Sequence, residues 1–260
     1  MGQRDAVHVA GLWRYPVKSM QGEELEAADI DTDGLRHDRA WGIRSMTSGL
    51  VLTARRRPEL LLASARLEGD RPHITLPDGT TATGVGPPTD SALSAWLDEP
   101  VSLVAAADVP EAVGEFFADA TDDTSPAIRW TMPAGRFVDA QPVLLLTDAA
   151  LRAAAELYPD GDWDVRRIRP NIVAAGAPPG WAEDGWVERT VAIGAEAAIA
   201  PVAPCQRCTM VTRPQPGLRR DLDIYRTLLR HHGGTLGVWS AVRRPGPVRL
   251  GDAVEVGGAH

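Results

Sequence analysis

"RPNIVAAGAPPGWAEDGWVERTVAIGAEAAIAPVAPCQRCTMVT", residues 169–212, decides the class of fold. "RPNIVAA", "GWVERTVAI", "EAAIAPVA" and "CTMVT" are short apolar runs cut by Gly and Pro, the pattern of strands rather than helices. Working outward, "PVLLLT" at 142–147, "TLGVWSAV" at 235–242 and "AVEV" at 253–256 read the same way. Two helices break the series. "DAALRAAAELY" follows Thr147 or Asp148 as N-cap, and "RDLDIYRTLLRHH" puts Leu222, Tyr225, Leu228 and Leu229 on one face.

The first hundred residues repeat the strand pattern. "VHVAGLWRYPV", "LEAADI", "AWGIRS" and the longer run "LLLASARLE" are strand-like, and Asp78-Gly79 marks a hairpin between "HITL" and "TTAT". "PPTDSALSAWLDE" reads as a helix capped by Thr89 or Asp90, with Leu93, Trp96 and Leu97 on one face. "DVPEAVGEFFADATDDTSPA" is acidic and turn-rich, and is expected to cover the junction between two halves. Many short strands with few helices give an α+β class rich in antiparallel β.

The chain has 260 residues, enough for one large β unit or two packed subdomains. A net charge of −8 argues against nucleic-acid binding and against an anionic membrane surface. It leaves room for a small anionic ligand in a local basic pocket. No apolar run is long enough to span a bilayer and no secretion signal is visible, so a cytoplasmic location is expected.

Two cysteines, Cys205 and Cys208 in "CQRC", are too few for a four-thiolate zinc or iron–sulfur centre. A thioredoxin-type pair needs a helix N-terminus, which Pro204, Pro214 and Pro216 deny it. In extended chain the two thiols face opposite ways, so only one lines a given pocket. An inert buried pair is the plain alternative. His8, His37, His73 and His260 lack ligand spacing, and His231-His232 suits the end of a helix better than a metal.

Lysine occurs once, as Lys18 in "RYPVKSMQG", against 26 arginines. Lys18 ends a predicted strand, Arg39 precedes another, and Arg169 and Asn171 stand at the entrance of a third. Such donors can converge on a phosphate, arginine as a fork and lysine as a compact point charge. The competing reading is that Arg39 and Arg169 pair with carboxylates such as Asp38 or Asp164.

Together these pieces resemble a known family. "YPVKSMQG…LEAADIDTDGLRHDRAWGI…LTARRRPELLLASA" resembles the MOSC N-terminal β-barrel domain, and "RRIRPNIVAAG…PCQRCTMVT…VRLGDAVEV" resembles the MOSC domain of molybdenum cofactor sulfurases. In layout the chain is similar to the amidoxime-reducing group. The resemblance implies a β-barrel MOSC domain over 119–260, packed with a β-rich N-terminal domain over 1–118. It also implies a molybdenum–pyranopterin cofactor. Lys18, Ser19, Arg39, Arg169 and Asn171 would hold it, with Asp139, Gln206, Arg207 and Trp239 lining the site. Cys208 would ligate molybdenum, with Arg207 keeping the sulfur deprotonated and Asp184 assisting proton delivery.

The activity so implied is reduction of small N-hydroxylated or N-oxide-type substrates, with electrons from a separate flavin or iron–sulfur protein. Two alternatives stand beside it. One is a non-catalytic carrier or sulfur-delivery protein for the cofactor, the other a dithiol oxidoreductase using Cys205 and Cys208.

Overall fold

The computed structural model describes residues 6–119, 122 and 124–259; His260 lies outside them. Its largest element is an eight-stranded sheet. The order is Val254–Ala259, Arg189–Ile193, Ala197–Gln206, Thr235–Arg244, Val143–Thr147, Ile172–Ala175, His8–Arg14 and Glu23–Leu25. Neighbours run antiparallel except Val143–Thr147 with Ile172–Ala175. A parallel pair needs a crossover. This one carries the helices Asp148–Leu157 and Val165–Ile168.

The sheet closes on itself. His8 bridges Ala253, Val9 N–H donates to Asp252 O at 2.9 Å, and Gly251 N–H donates to Val9 O at 2.8 Å. Closure satisfies backbone groups that an open edge would leave unpaired. Alternation along the strands then sorts the side chains. Val143 and Leu145 join Leu12, Ile172, Ile199 and Val238 inside the barrel. Leu144 and Leu146 face outward onto Ile224, Tyr225 and Leu228 of the helix Leu222–His232.

The remainder of the first half wraps a second core. Trp41–Ser45 pairs with Val101–Ala105, and a meander of Ser64–Glu68, Arg71–Thr75 and Thr81–Thr83 packs with the helix Pro87–Leu97. Leu93 and Leu97 of that helix are buried with Met20, Ile43, Leu61 and Leu103. Each such leucine contributes about 2 kcal/mol of burial. The Asp78-Gly79 turn forms as expected, with Gly79 at φ 88° and Thr80 N–H on Asp78 Oδ1 at 2.8 Å.

Several local expectations are corrected. The helix at 87–97 begins after Gly86, because Thr89 and Asp90 bond elsewhere: Thr89 Oγ1 donates to Gly84 O, and Asp90 accepts from Ser102 and Leu103. "LLLASARLE" divides into a 3-10 turn, Pro58–Leu62, and a strand, Ser64–Glu68. "CTMVT" is a 3-10 turn, Thr209–Thr212. The helix Leu222–His232 turns Ile224, Tyr225 and Leu228 inward and leaves Leu222 and Leu229 exposed. The stretch expected as a turn-rich junction holds a hairpin, Val113–Phe117 with Ala127–Thr131; Ala120, Thr121 and Asp123 between them lie outside the described residues.

Candidate functional site

A cavity open to solvent lies where the barrel meets the N-terminal core. Lys18, Arg39, Arg55, Arg167, Arg169 and Arg207 line it, with Asp139 as the single carboxylate. Six cationic side chains thus converge with Asp139 in the lining and Asp38 paired to Arg39 behind it, in a chain whose overall charge is −8. Such a pocket attracts anions despite the acidic surface.

Lys18 is placed by its backbone. Its N–H donates to Trp41 O at 2.8 Å, and its side chain is buried. The ammonium donates to Phe137 O at 2.8 Å and to Asp139 Oδ1 at 2.7 Å. With three donors on the nitrogen, one is left for a ligand. Burial lowers the Lys18 pKa, opposed by Asp139. Burial also disfavours the Asp139 carboxylate, but Arg55 and Lys18 outweigh it and hold Asp139 well below the usual carboxylate range. Asp139 is therefore the counter-ion of the two cations, rather than a group that itself attracts an anion.

Arg39 and Arg169 clasp Tyr15. Their guanidinium carbons lie 4.7 Å and 4.2 Å from the ring centroid. Arg39 donates to the buried Asp38, to Asn171 Oδ1 at 3.3 Å and to Arg169 O at 3.2 Å. Arg169 donates to Met20 O at 2.7 Å, and burial pushes its pKa down to about 10. It remains charged at neutral pH. Asn171 is spent on the backbone: Oδ1 accepts from Leu144 N–H and Nδ2 donates to Trp13 O.

Ser19 (φ 72°), Arg39 (48°) and Arg169 (60°) all adopt left-handed backbone, and all three line the cavity. For residues with a Cβ that conformation is costly and concentrates at ligand sites. At Arg169 the cause is local. The helix Val165–Ile168, N-capped by Asp164, ends on Arg169 in the left-handed conformation before the strand Ile172–Ala175 begins.

The cysteines depart from expectation. Strand Ala197–Gln206 stops just short of Arg207, whose N–H turns to Gly234 O, and Cys208 opens the following 3-10 turn. Because the strand ends between them, Cys205 and Cys208 both line the cavity instead of facing apart. Arg207 does not reach Cys208. Its Nη1 donates to Cys205 Sγ at 2.8 Å and its Nη2 to Ile168 O at 2.9 Å.

Arg55, not Arg207, is the arginine on which Cys208 acts electrostatically. It donates to Asp139 Oδ2 at 2.6 Å and lines the cavity together with Cys208. Burial disfavours its charge, but Asp139 and Cys208 more than offset this and raise its pKa. Sequence reasoning missed it. Arg55, Arg56 and Arg57 are consecutive, and only their partners tell them apart.

Asp184 is not at the cavity. It ends against His232 Nε2 at 2.7 Å, where the His232 ring stacks on Trp181 at 3.9 Å. The 3-10 turn Ala182–Trp186 carries it to the helix C-terminus, where its side chain pairs with His232 instead of lining the cavity. Gln206 and Trp239 line the cavity as expected, Gln206 through bonds to Gly233 O and Gly234 O. Arg167, also in the lining, staples carbonyls of Asp162, Val211, Arg213 and Arg219.

The donor set defines a ligand type. One Lys18 proton is uncommitted, and Arg207 Nε is buried without a partner among the described residues. Unpaired buried donors of this kind are expected to be satisfied by a bound group. A half-buried thiol in a cavity lined by cations suits an anionic ligand that presents a thiophilic metal.

Two domain matches that together span most of the chain show that it belongs to the MOSC family. Residues 6–123 match the MOSC N-terminal beta barrel domain and residues 133–255 match the MOSC domain. Mouse mitochondrial amidoxime-reducing component 1 is 28% identical over 95% of this chain and 81% of its own length. A molybdenum cofactor sulfurase from Oryza sativa subsp. japonica is 23% identical over 80% of this chain but only 28% of its own length. The YUAD protein of Bacillus subtilis shares the fold, with a TM-score of 0.50 and 14% identity over 98% of this chain and 97% of that one. Among the described residues no helix is long and apolar enough to cross a membrane.

Proposed function

We propose that this chain is a molybdenum-cofactor-dependent reductase of N-hydroxylated compounds. The observation that carries the reading is that Cys208 shares one cavity with Lys18, Arg39 and Arg169. The name of the amidoxime-reducing relative, which this chain matches almost end to end, supports the same activity.

In this reading Lys18, Ser19 and Arg169 hold the cofactor's phosphate, and Cys208 supplies a thiolate to molybdenum. When bound, the cofactor would supply two-electron oxygen-atom transfer. The protein's part is to orient and to screen. Asp139 fixes Lys18 and Arg55, Asn171 locks the entrance of the strand Ile172–Ala175, and the Tyr15 ring steadies the guanidinium groups of Arg39 and Arg169. Reduction of an N–OH group to N–H releases water and consumes two electrons and two protons. With two cysteines in the chain, no iron–sulfur relay is built in, so the electrons come from a separate flavin or iron–sulfur protein.

The test is molybdenum and pterin content together with turnover on an artificial electron donor. Cys208→Ser should abolish turnover while Cys205→Ser retains most of it. Equal loss in both would restore the dithiol reading. The match to a sulfurase favours one rival, a carrier or sulfur-delivery protein. Such a protein would load cofactor, show no turnover with any donor, and pass the cofactor to an apo-enzyme.

A further inference from the structure

The hairpin Val113–Phe117 with Ala127–Thr131 bears three aromatic rings, Phe116, Phe117 and Trp130, that the proposed chemistry does not use. They line a second cavity that adjoins the first and shares Arg55, Cys208 and Trp239 with it. All three rings are half-buried. Phe116 stands edge-on to Trp130 at 5.6 Å and 71°. Trp130 lies under the Arg55 guanidinium at 5.4 Å and the Lys18 ammonium at 5.7 Å, and Phe117 lies under Arg56 at 4.8 Å.

Of the three phenylalanines in the chain, only Phe137 is sequestered in a core. The hairpin is tied to the N-terminal core through its backbone, Val51 N–H donating to Val113 O and Thr53 Oγ1 to Glu115 O, while Phe116 and Phe117 stay half in water on the cavity wall. An apolar, ring-lined chamber adjoining a polar reactive site is the usual form of a small-molecule pocket. Flat aromatic walls favour a flat aromatic occupant, through offset or edge-on ring contacts.

We propose that this chamber is a specificity subsite for the aryl body of a substrate whose N–OH group reaches the cavity at Cys208. The inference rests on the reductase reading and narrows it: amidoximes carrying an aromatic ring are preferred over those carrying a small alkyl group. The rival occupant is the electron-donor protein, for which half-exposed rings could form a docking surface.

The test compares benzamidoxime with acetamidoxime in molybdenum-loaded protein, with reduced methyl viologen as donor so that no partner protein takes part. Phe117→Ala should lower the ratio of kcat/KM for benzamidoxime over acetamidoxime at least tenfold, and Phe117→Leu should restore part of it. Molybdenum content per chain is measured for each variant. An unchanged ratio overturns the subsite. So does a loss of turnover seen only with a protein donor, which would assign the rings to docking.

Calorimetric binding of benzamidoxime to the same proteins separates the two proposals. Binding that weakens at least fivefold in Phe117→Ala, in protein that turns over neither compound, keeps the aryl subsite and removes the reductase. Turnover of both compounds with an unaltered ratio, and binding indifferent to Phe117, keeps the reductase and removes the subsite.

Discussion

Lys18 and Asp139 form a 2.7 Å ion pair across 121 positions of sequence, and the second oxygen of the same carboxylate holds Arg55 at 2.6 Å. Asp139 thus occupies two of the cations that line the cavity, one of them the Lys18 proposed to hold the phosphate. A unit charge about 6 Å away at an effective dielectric of about 40 is worth roughly 1.4 kcal/mol. Asp139→Asn should therefore tighten binding of inorganic phosphate to cofactor-free protein about tenfold, measured by calorimetry. Weaker binding in the variant would mean that Asp139 serves chiefly to aim Lys18.

Lys18 itself is tested by the substitution the rest of the sequence would favour. Its ammonium fits between Phe137 O and Asp139 in a buried slot. A guanidinium is larger and planar, and overpacking a buried site costs about 1–3 kcal/mol. Lys18→Arg, which keeps the charge, should reduce molybdenum per chain at least fivefold and lower Tm by a few degrees. Full loading in the variant would show that charge alone suffices at position 18.

What the sequence revealed and what it hid follow from the range of the interactions. The Asp78-Gly79 turn, the Thr147 cap and the strands around 143–147 and 172–175 rest on neighbours in the chain, and they formed as read. Lys18, Arg39 and Arg169 were legible as donors at strand ends and Cys208 through the resemblance, and all four line one cavity. Arg55 was not. Arg55 turns to Asp139 and Cys208, Arg56 to Phe117, and Arg57 to Glu59, Glu99 and Leu97 O, and these partners are set by the tertiary fold. The same holds for barrel closure at His8 and Ala253, and for Arg207, whose reach to Cys205 depends on where one strand stops.

The two thiols should differ in reactivity. Cys205 is 3% exposed, and burial pushes its thiol up, only partly countered by Arg207. Cys208 is half-buried on the cavity wall. In cofactor-free protein at pH 7.5, iodoacetamide should modify Cys208 at least tenfold faster than Cys205, as read by peptide mass spectrometry. Because the thiolate is the reactive form, labelling of Cys205 should begin to rise only above the ordinary thiol range of about 8.5. Equal rates at pH 7.5 would show that the barrel opens readily at its cavity end.

Glu183 offers a test of the scaffold alone. It is 1% exposed, and Thr147 Oγ1 donates to its Oε2 at 2.5 Å while accepting from Ala150 N–H at the start of the helix Asp148–Leu157. Burial raises its pKa, with Thr147 pulling the other way. A carboxyl raised in the folded state keeps its proton where the unfolded chain, at about 4.3, has lost it. Stability therefore falls as pH rises from about 4 through the raised value, then levels off. Glu183→Gln keeps the shape and cannot ionise. Urea unfolding at a series of pH values should show that this variant lacks the wild-type decline above pH 4 and matches or exceeds wild-type stability at pH 7. A variant less stable than wild type at pH 7 would mean that the ionised carboxylate, bonded to Thr147, is the form the fold prefers.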